Sequence, residues 1–137
     1  MRVMLDTNII ISAILFPKGR TAQAFLKAIC PPCQPYVCDY IVDELRRKIK
    51  EKFPTRTEEL ETFLASFLPL IHVVPTPRAE LPVEKSIRDP KDRPILRAAL
   101  NAHSDLFLTG DKDFLESSLT NLRIISVAEF LLQRADG

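Results

Sequence analysis

Acidic residues recur at separated places in this chain, each beside apolar sequence. Asp6 follows Val3-Met4-Leu5, and Glu44 lies in Ile41-Val42-Asp43-Glu44-Leu45. Asp89 and Asp92 fall within Arg88-Asp89-Pro90-Lys91-Asp92-Arg93-Pro94, while Asp111 and Asp113 come soon after Leu106-Phe107-Leu108. Carboxylates brought to one partly buried place repel by roughly several kcal/mol at an effective dielectric near 20, unless protons or cations compensate. A divalent cation is the natural compensator. An oxygen-only donor set, without histidine or cysteine, suits Mg²⁺ or Mn²⁺ rather than zinc, and such ions work chiefly on phosphates.

The elements that must position these acids are legible in outline. Residues 3–5 read as a buried strand of a parallel sheet. Residues 9–16 have room for a short helix before Pro17-Lys18-Gly19, and residues 21–29 form an amphipathic helix ended by Pro31-Pro32. A strand at residues 36–38 leads into a helix over 39–53, closed by Pro54. Residues 57–68 predict another helix, with Leu60, Phe63, Leu64, Phe67 and Leu68 at core spacing. Residues 71–74 form a third strand and residues 75–85, rich in proline and charge, a loop. A helix over 94–103, strands at 106–108 and 122–126, and a terminal helix from Val127 to Arg134 complete the series. The alternation predicts a three-layer α/β/α sandwich around a central, mainly parallel sheet of about five strands with right-handed crossovers.

Ligands of open parallel sheets bind at the carboxyl ends of strands. Asp6 and Asp111 both follow strands and should share that edge. On the helix from Asp39, taking Ile41, Leu45, Lys48 and Ile49 as the inner face, about 100° of rotation per residue puts Glu44 at its flank and Asp43 nearly opposite. Proline belongs in a first helical turn, so Pro94 favours a helix starting near Asp92, with Asp89 free to cap an irregular turn before it. Ile95, Leu96 and Ala99 stand three, four and seven residues after Asp92, which sets it beside the buried face.

Each acid also has a purely structural explanation. Asp89 or Asp92 can cap a helix, Asp113 the turn at Phe114, and Asp6 the helix at Ile9. Their joint placement at one edge is what capping does not explain.

The bulk properties bound the rest. At 137 residues, with 46% hydrophobic and 27% charged residues, the chain suits one globular domain that buries a real core. The longest apolar run is too short to span a bilayer, and the N-terminus lacks the pattern of a signal peptide, which predicts a cytosolic chain with reduced cysteines. A net charge of +1 neither demands nor excludes a polyanion. Positive charge gathers at Arg46, Arg47, Lys48 and Lys50, where a solvated helix face is the plain alternative to a phosphate-binding one.

Four segments together resemble PIN-domain proteins, especially the small stand-alone PIN proteins classed as toxin ribonucleases of toxin–antitoxin systems. They are M-L-D-T-N, I-V-D-E-L, D-P-K-D-R-P-I-L-R-A-A-L and F-L-T-G-D-K-D-F-L, in this order over nearly the whole chain. The resemblance implies a single PIN-like domain over residues 1–137. It implies Asp6, Glu44, Asp92 and Asp111 as the acidic metal-binding constellation, with Asp113 an auxiliary acid and Thr7, Asn8 and Thr109 supporting it; Asp89 also matches. The implied reaction is hydrolysis of RNA phosphodiesters with one or two Mg²⁺ or Mn²⁺ ions, giving a 5′-phosphate and a 3′-hydroxyl. Arg46, Arg47, Lys48 and Lys50 would hold flanking phosphates. A separate antitoxin chain and a homodimer are further implications.

Three rivals remain at this level. A haloacid-dehalogenase-like phosphatase also begins with a strand ending in aspartate, which would then be a nucleophile, but it wants a second aspartate where this chain has Asn8. A receiver-like domain wants paired acids before the phosphorylated one, and Val3-Met4-Leu5 supplies none. A noncatalytic RNA-binding module needs the basic patch and not the acids. Cys30-Pro31-Pro32-Cys33 follows a helix and precedes a strand, the reverse of a thioredoxin-type site, so a structural turn is expected there. Cys38 lies nearby with no role assigned, and His72 and His103 read as packing or surface residues.

Overall fold

Val3, Met4 and Leu5 have no exposed surface, and a strand apolar on both faces must be covered on both. The computed structural model, which describes residues 1–133, makes this run β1 (Arg2–Leu5), the middle strand of a five-stranded sheet. The chain continues through α1 (Thr7–Leu15), α2 (Arg20–Ile29), β2 (Gln34–Cys38), α3 (Asp39–Lys52), α4 (Thr57–Phe67) and β3 (His72–Val74). It then forms α5 (Arg93–Asn101), β4 (Leu106–Leu108), α6 (Lys112–Leu115), β5 (Ile124–Ile125) and α7 (Val127–Leu132).

Strand order is β3-β2-β1-β4-β5, every pairing parallel. The chain builds outward from β1 to β3 on one side, then returns to lay β4 and β5 on the other. Right-handed crossovers therefore carry α1 to α4 over one face and α5 over the other. The reversal of strand order falls between β1 and β4, and open parallel sheets bind ligands at the carboxyl ends of strands at such a point. Leu5 pairs with Leu108, so Asp6 and Thr109 leave the sheet side by side.

The α/β sandwich expected from the sequence is the fold observed, with a sheet wholly parallel rather than mainly so. Details differ for local reasons. The first helix starts at Thr7 and not at Ile9, because the Asp6 carboxylate accepts from the Thr7 amide and caps it there. The helix expected to reach His103 stops at Asn101, and His103 takes a left-handed conformation (φ 54°) that turns the chain toward β4. The expected loop over 75–85 ends in a 3₁₀ turn, Pro82–Ser86. The terminal helix is described as far as Leu132; Arg134 lies outside the described residues.

Of the core positions expected on α4, Leu60 and Leu64 are buried, while Phe63, Phe67 and Leu68 pack partly exposed against the core. Cys30 and Cys33 flank a turn closed by the Cys33 amide donating to the Cys30 carbonyl at 3.0 Å, and both thiols are free. His72 stacks on Tyr36, and His103 is exposed. Among the described residues, no helix is long and apolar enough to cross a membrane.

One buried ion pair fixes the segment that precedes α5. Arg97 Nε donates to Glu84 Oε2 at 2.9 Å and its Nη2 to Oε1 at 2.8 Å, a bidentate fork. The Leu81 amide adds a bond to Glu84, and Arg97 Nη1 reaches the Pro77 carbonyl at 2.7 Å. These bonds hold the Glu84 carboxyl below its ordinary range. Breaking one partner would leave the other charge buried alone, so Glu84→Gln is expected to cost about 3 kcal/mol in urea unfolding. A loss below about 1 kcal/mol would show that the pair behaves as a surface one.

Candidate active site

Asp6 ends the central strand and is only 3% exposed. A charge so placed must be satisfied by fixed donors. Thr109, the residue after β4, donates its hydroxyl to Asp6 Oδ2 at 2.6 Å, and the Thr7 amide donates to Oδ1 at 2.8 Å. The Thr109 hydroxyl also accepts from the Asp111 amide at 3.0 Å, so one side chain sets the spacing of both acids. Asp111 caps α6, accepting from the Asp113 amide at 2.9 Å. The capping role considered for Asp113 thus belongs to Asp111, two residues earlier.

Glu44 arrives from α3. It is buried and Asp43 exposed, as the helical rotation requires. Thr7 donates its hydroxyl to Glu44 Oε1 at 2.5 Å, tying α3 to the start of α1. Arg47 Nη2 and Lys48 Nζ each stand 3.8 Å from this carboxylate.

The 89–92 turn brings the remaining acids. Asp89 caps it by accepting from the Lys91 amide at 3.0 Å, and Asp92 stands at its end, where α5 begins. The Tyr40 hydroxyl donates to the Lys91 carbonyl at 2.8 Å and so pins the turn to α3.

Carboxylate oxygens of Asp92, Asp111 and Asp113 lie within 4.8 Å of one another. All three are among the acids expected from the sequence to bind metal, with Asp113 the auxiliary one; Asp6 and Glu44, the other two, are buried. The donor set is oxygen throughout, which fits a hard divalent cation such as Mg²⁺ or Mn²⁺ and does not suit zinc.

The electrostatics agree. Burial chiefly, opposed by the bonds from Thr109 and Thr7 and reinforced by the nearby Asp111 and Glu44 charges, raises the Asp6 pKa to about 6. Asp92 is raised to about 7, first by burial, then by Asp111 and Asp6, with Asp111 also in carboxyl contact and Asp89 adding its charge.

The supporting residues divide. Thr7 and Thr109 each hold an acid, whereas Asn8 is exposed and no hydrogen bond links its amide to any acid of the site. The basic segment is divided by the turn of α3. Arg47 and Lys48 flank Glu44, Arg46 Nε pairs with Glu61 of α4 at 3.2 Å, and Lys50 is exposed. Sequence reasoning missed Arg88, which pairs with Asp113, and the Glu84–Arg97 fork. Arg88 directly precedes Asp89, which was the available signal; nothing local joins residues 84 and 97.

Both raised acids bind protons more tightly in the folded than in the unfolded chain. Their contribution to stability is therefore full below about pH 4, the unfolded carboxylate value. It is lost as pH rises through about 6 and about 7. With divalent ions chelated, Asp92→Asn is expected to raise the melting temperature at pH 8 by about 2–4 °C and to change it little at pH 4.5. An equal shift at both would contradict this electrostatic account.

A family model described as PIN domain matches residues 2–113. No curated protein matches the sequence. Among solved structures, the chain is similar to one in the crystal structure of VapBC2 from Rickettsia felis bound to a DNA fragment from its promoter, at TM-score 0.68 and 16% identity, covering 92% of this chain and 98% of that one. It is similar to FitAcB from Neisseria gonorrhoeae at TM-score 0.67 and 22% identity, over 92% and 98%. It also matches Mycobacterium tuberculosis VapC20, a sarcin–ricin loop cleaving toxin, at TM-score 0.59 and 13% identity, over 88% and 98%. At such identities the likeness is one of fold.

Proposed function

The chain belongs to the PIN-domain family, and on that premise we propose that it is a Mg²⁺- or Mn²⁺-dependent endoribonuclease of the cytosol. The observation that carries this reading is the oxygen-only group of Asp92, Asp111 and Asp113 at the carboxyl edge of the sheet, backed by buried Asp6. These three would hold the ion, with Asp6 and Glu44 supplying the negative field behind it. An ion held there would supply charge neutralisation at a phosphate and activation of water, the reaction being hydrolysis to a 5′-phosphate and a 3′-hydroxyl.

The chain's own residues do the positioning. Thr109 fixes Asp6 against Asp111, Thr7 fixes Glu44, and the Asp89 cap presents Asp92. Arg47 and Lys48 hold phosphates beside the acids and read no sequence. Arg46 and Lys50 extend that charge along α3. A phosphatase that uses Asp6 as nucleophile fits less well, because both carboxylate oxygens accept hydrogen bonds and the side chain is closed to solvent.

RNA as substrate is supported by the likeness to VapC20, a sarcin–ricin loop cleaving toxin, and an antitoxin partner by the VapBC and FitAcB assemblies. An apolar groove of about 670 Å³, lined by Ile14, Pro17 and Ala22 with Phe25, Leu26 and Phe63, offers a surface for a protein partner. A homodimer belongs to the same reading.

Cleavage of single-stranded RNA should require Mg²⁺ or Mn²⁺ and stop in EDTA. Asp6→Asn and Asp111→Asn should each lower the rate roughly 100-fold or more while RNA binding persists. Metal-independent cleavage that survives both substitutions would refute the proposal.

A further inference from the structure

Arg88 is the cation that the fold places on the three-carboxylate group. Its guanidinium Nη2 pairs with Asp113 Oδ1, across 25 residues of sequence. The two ends of this contact are unlike. The Arg88 side chain is 86% exposed, whereas Asp113 is 21% exposed and its amide is held by Asp111.

The backbone beneath Arg88 is anchored on both sides. Ile87 is fully buried and its carbonyl accepts from Arg93 Nε at 3.0 Å, and Asp89 caps the following turn. A long charged side chain therefore rises from a fixed base at the lip of the acid group. An exposed ion pair of this kind contributes about 1 kcal/mol or less, so a stronger ligand for Asp113 displaces it readily. The guanidinium fork is suited to bidentate binding of a phosphate.

We propose that Arg88 is a tethered counter-ion: its guanidinium pairs with Asp113, competes with a divalent cation for that carboxylate, and on displacement turns to a phosphate of the RNA beside the acid group. The idea rests on the metal-dependent nuclease reading and adds to it an order of events. Arg88, released from Asp113 when a cation takes that carboxylate, would receive the substrate afterwards.

The test is Mn²⁺ titration calorimetry at pH 8 on wild type, Arg88→Gln and Arg88→Lys, together with binding of a short single-stranded RNA in Ca²⁺ and in EDTA. Arg88→Gln removes the competitor and should bind Mn²⁺ roughly 2- to 5-fold more tightly, whereas Arg88→Lys should stay near wild type. Arg88→Gln should also weaken RNA binding in Ca²⁺ and leave it unchanged in EDTA. Equal or weaker Mn²⁺ binding by Arg88→Gln would overturn the competition, and an equal RNA loss in EDTA would make Arg88 a static contact and overturn the displacement. A wild-type protein that neither binds Mn²⁺ nor cleaves RNA would remove the nuclease reading and this inference with it; normal wild-type behaviour beside an unchanged Arg88→Gln would remove this inference alone.

Discussion

A carboxylate buried at the end of the middle strand is the constraint on which the site is built. Asp6 cannot leave, because Val3, Met4 and Leu5 are locked between two other strands. Nor can it be neutralised by a nearby lysine or arginine, since its bonded neighbours are a hydroxyl and an amide. The Thr109 hydroxyl is positioned only because β4 lies parallel to β1 with Leu108 beside Leu5. Topology, register and charge are therefore one problem. The fold solves it incompletely: Asp6 remains harder to ionise than an ordinary aspartate, because burial penalises its charged form more than the bonds from Thr109 and Thr7 favour it.

The other acids are brought in by separate devices, each satisfying a local need of the backbone. Asp111 caps α6, Asp89 caps the turn before α5, and Glu44 accepts from Thr7 on α1. Like charges held close by caps and turns cost stability, and the cost is carried by packing away from the site. The Glu84–Arg97 fork and the Tyr40 bond to Lys91 are parts of that support. They keep the turn bearing Asp92 close to α3 and α5 while its carboxyl faces other carboxyls.

Much of this arrangement is legible in the amino-acid sequence. Strand ends name Asp6 and Asp111, and helical rotation separates Glu44 from Asp43. Both inferences use periodicities that local sequence imposes on the backbone. What local sequence does not carry is the partner across space. Arg46, Arg47, Lys48 and Lys50 look alike in one run, yet the turn of α3 sends Arg46 to α4 and leaves Arg47 and Lys48 by Glu44. Asp113 reads as auxiliary because it lies two residues beyond the conspicuous acid, and only the cap by Asp111 folds it into the tight group. Arg88 and the 84–97 fork depend on the course of the 75–92 segment, whose prolines speak only for turns.

The central claim is that Asp92, Asp111 and Asp113 form a divalent-cation site at the carboxyl edge of β1 and β4. The most direct measurement is anomalous diffraction from crystals of the protein soaked in Mn²⁺ at a concentration that supports RNA cleavage. The account predicts an anomalous peak at these three carboxylates, lost in Asp111→Asn crystals. A peak at another set of residues, or none in crystals of protein that is active with Mn²⁺, would contradict it.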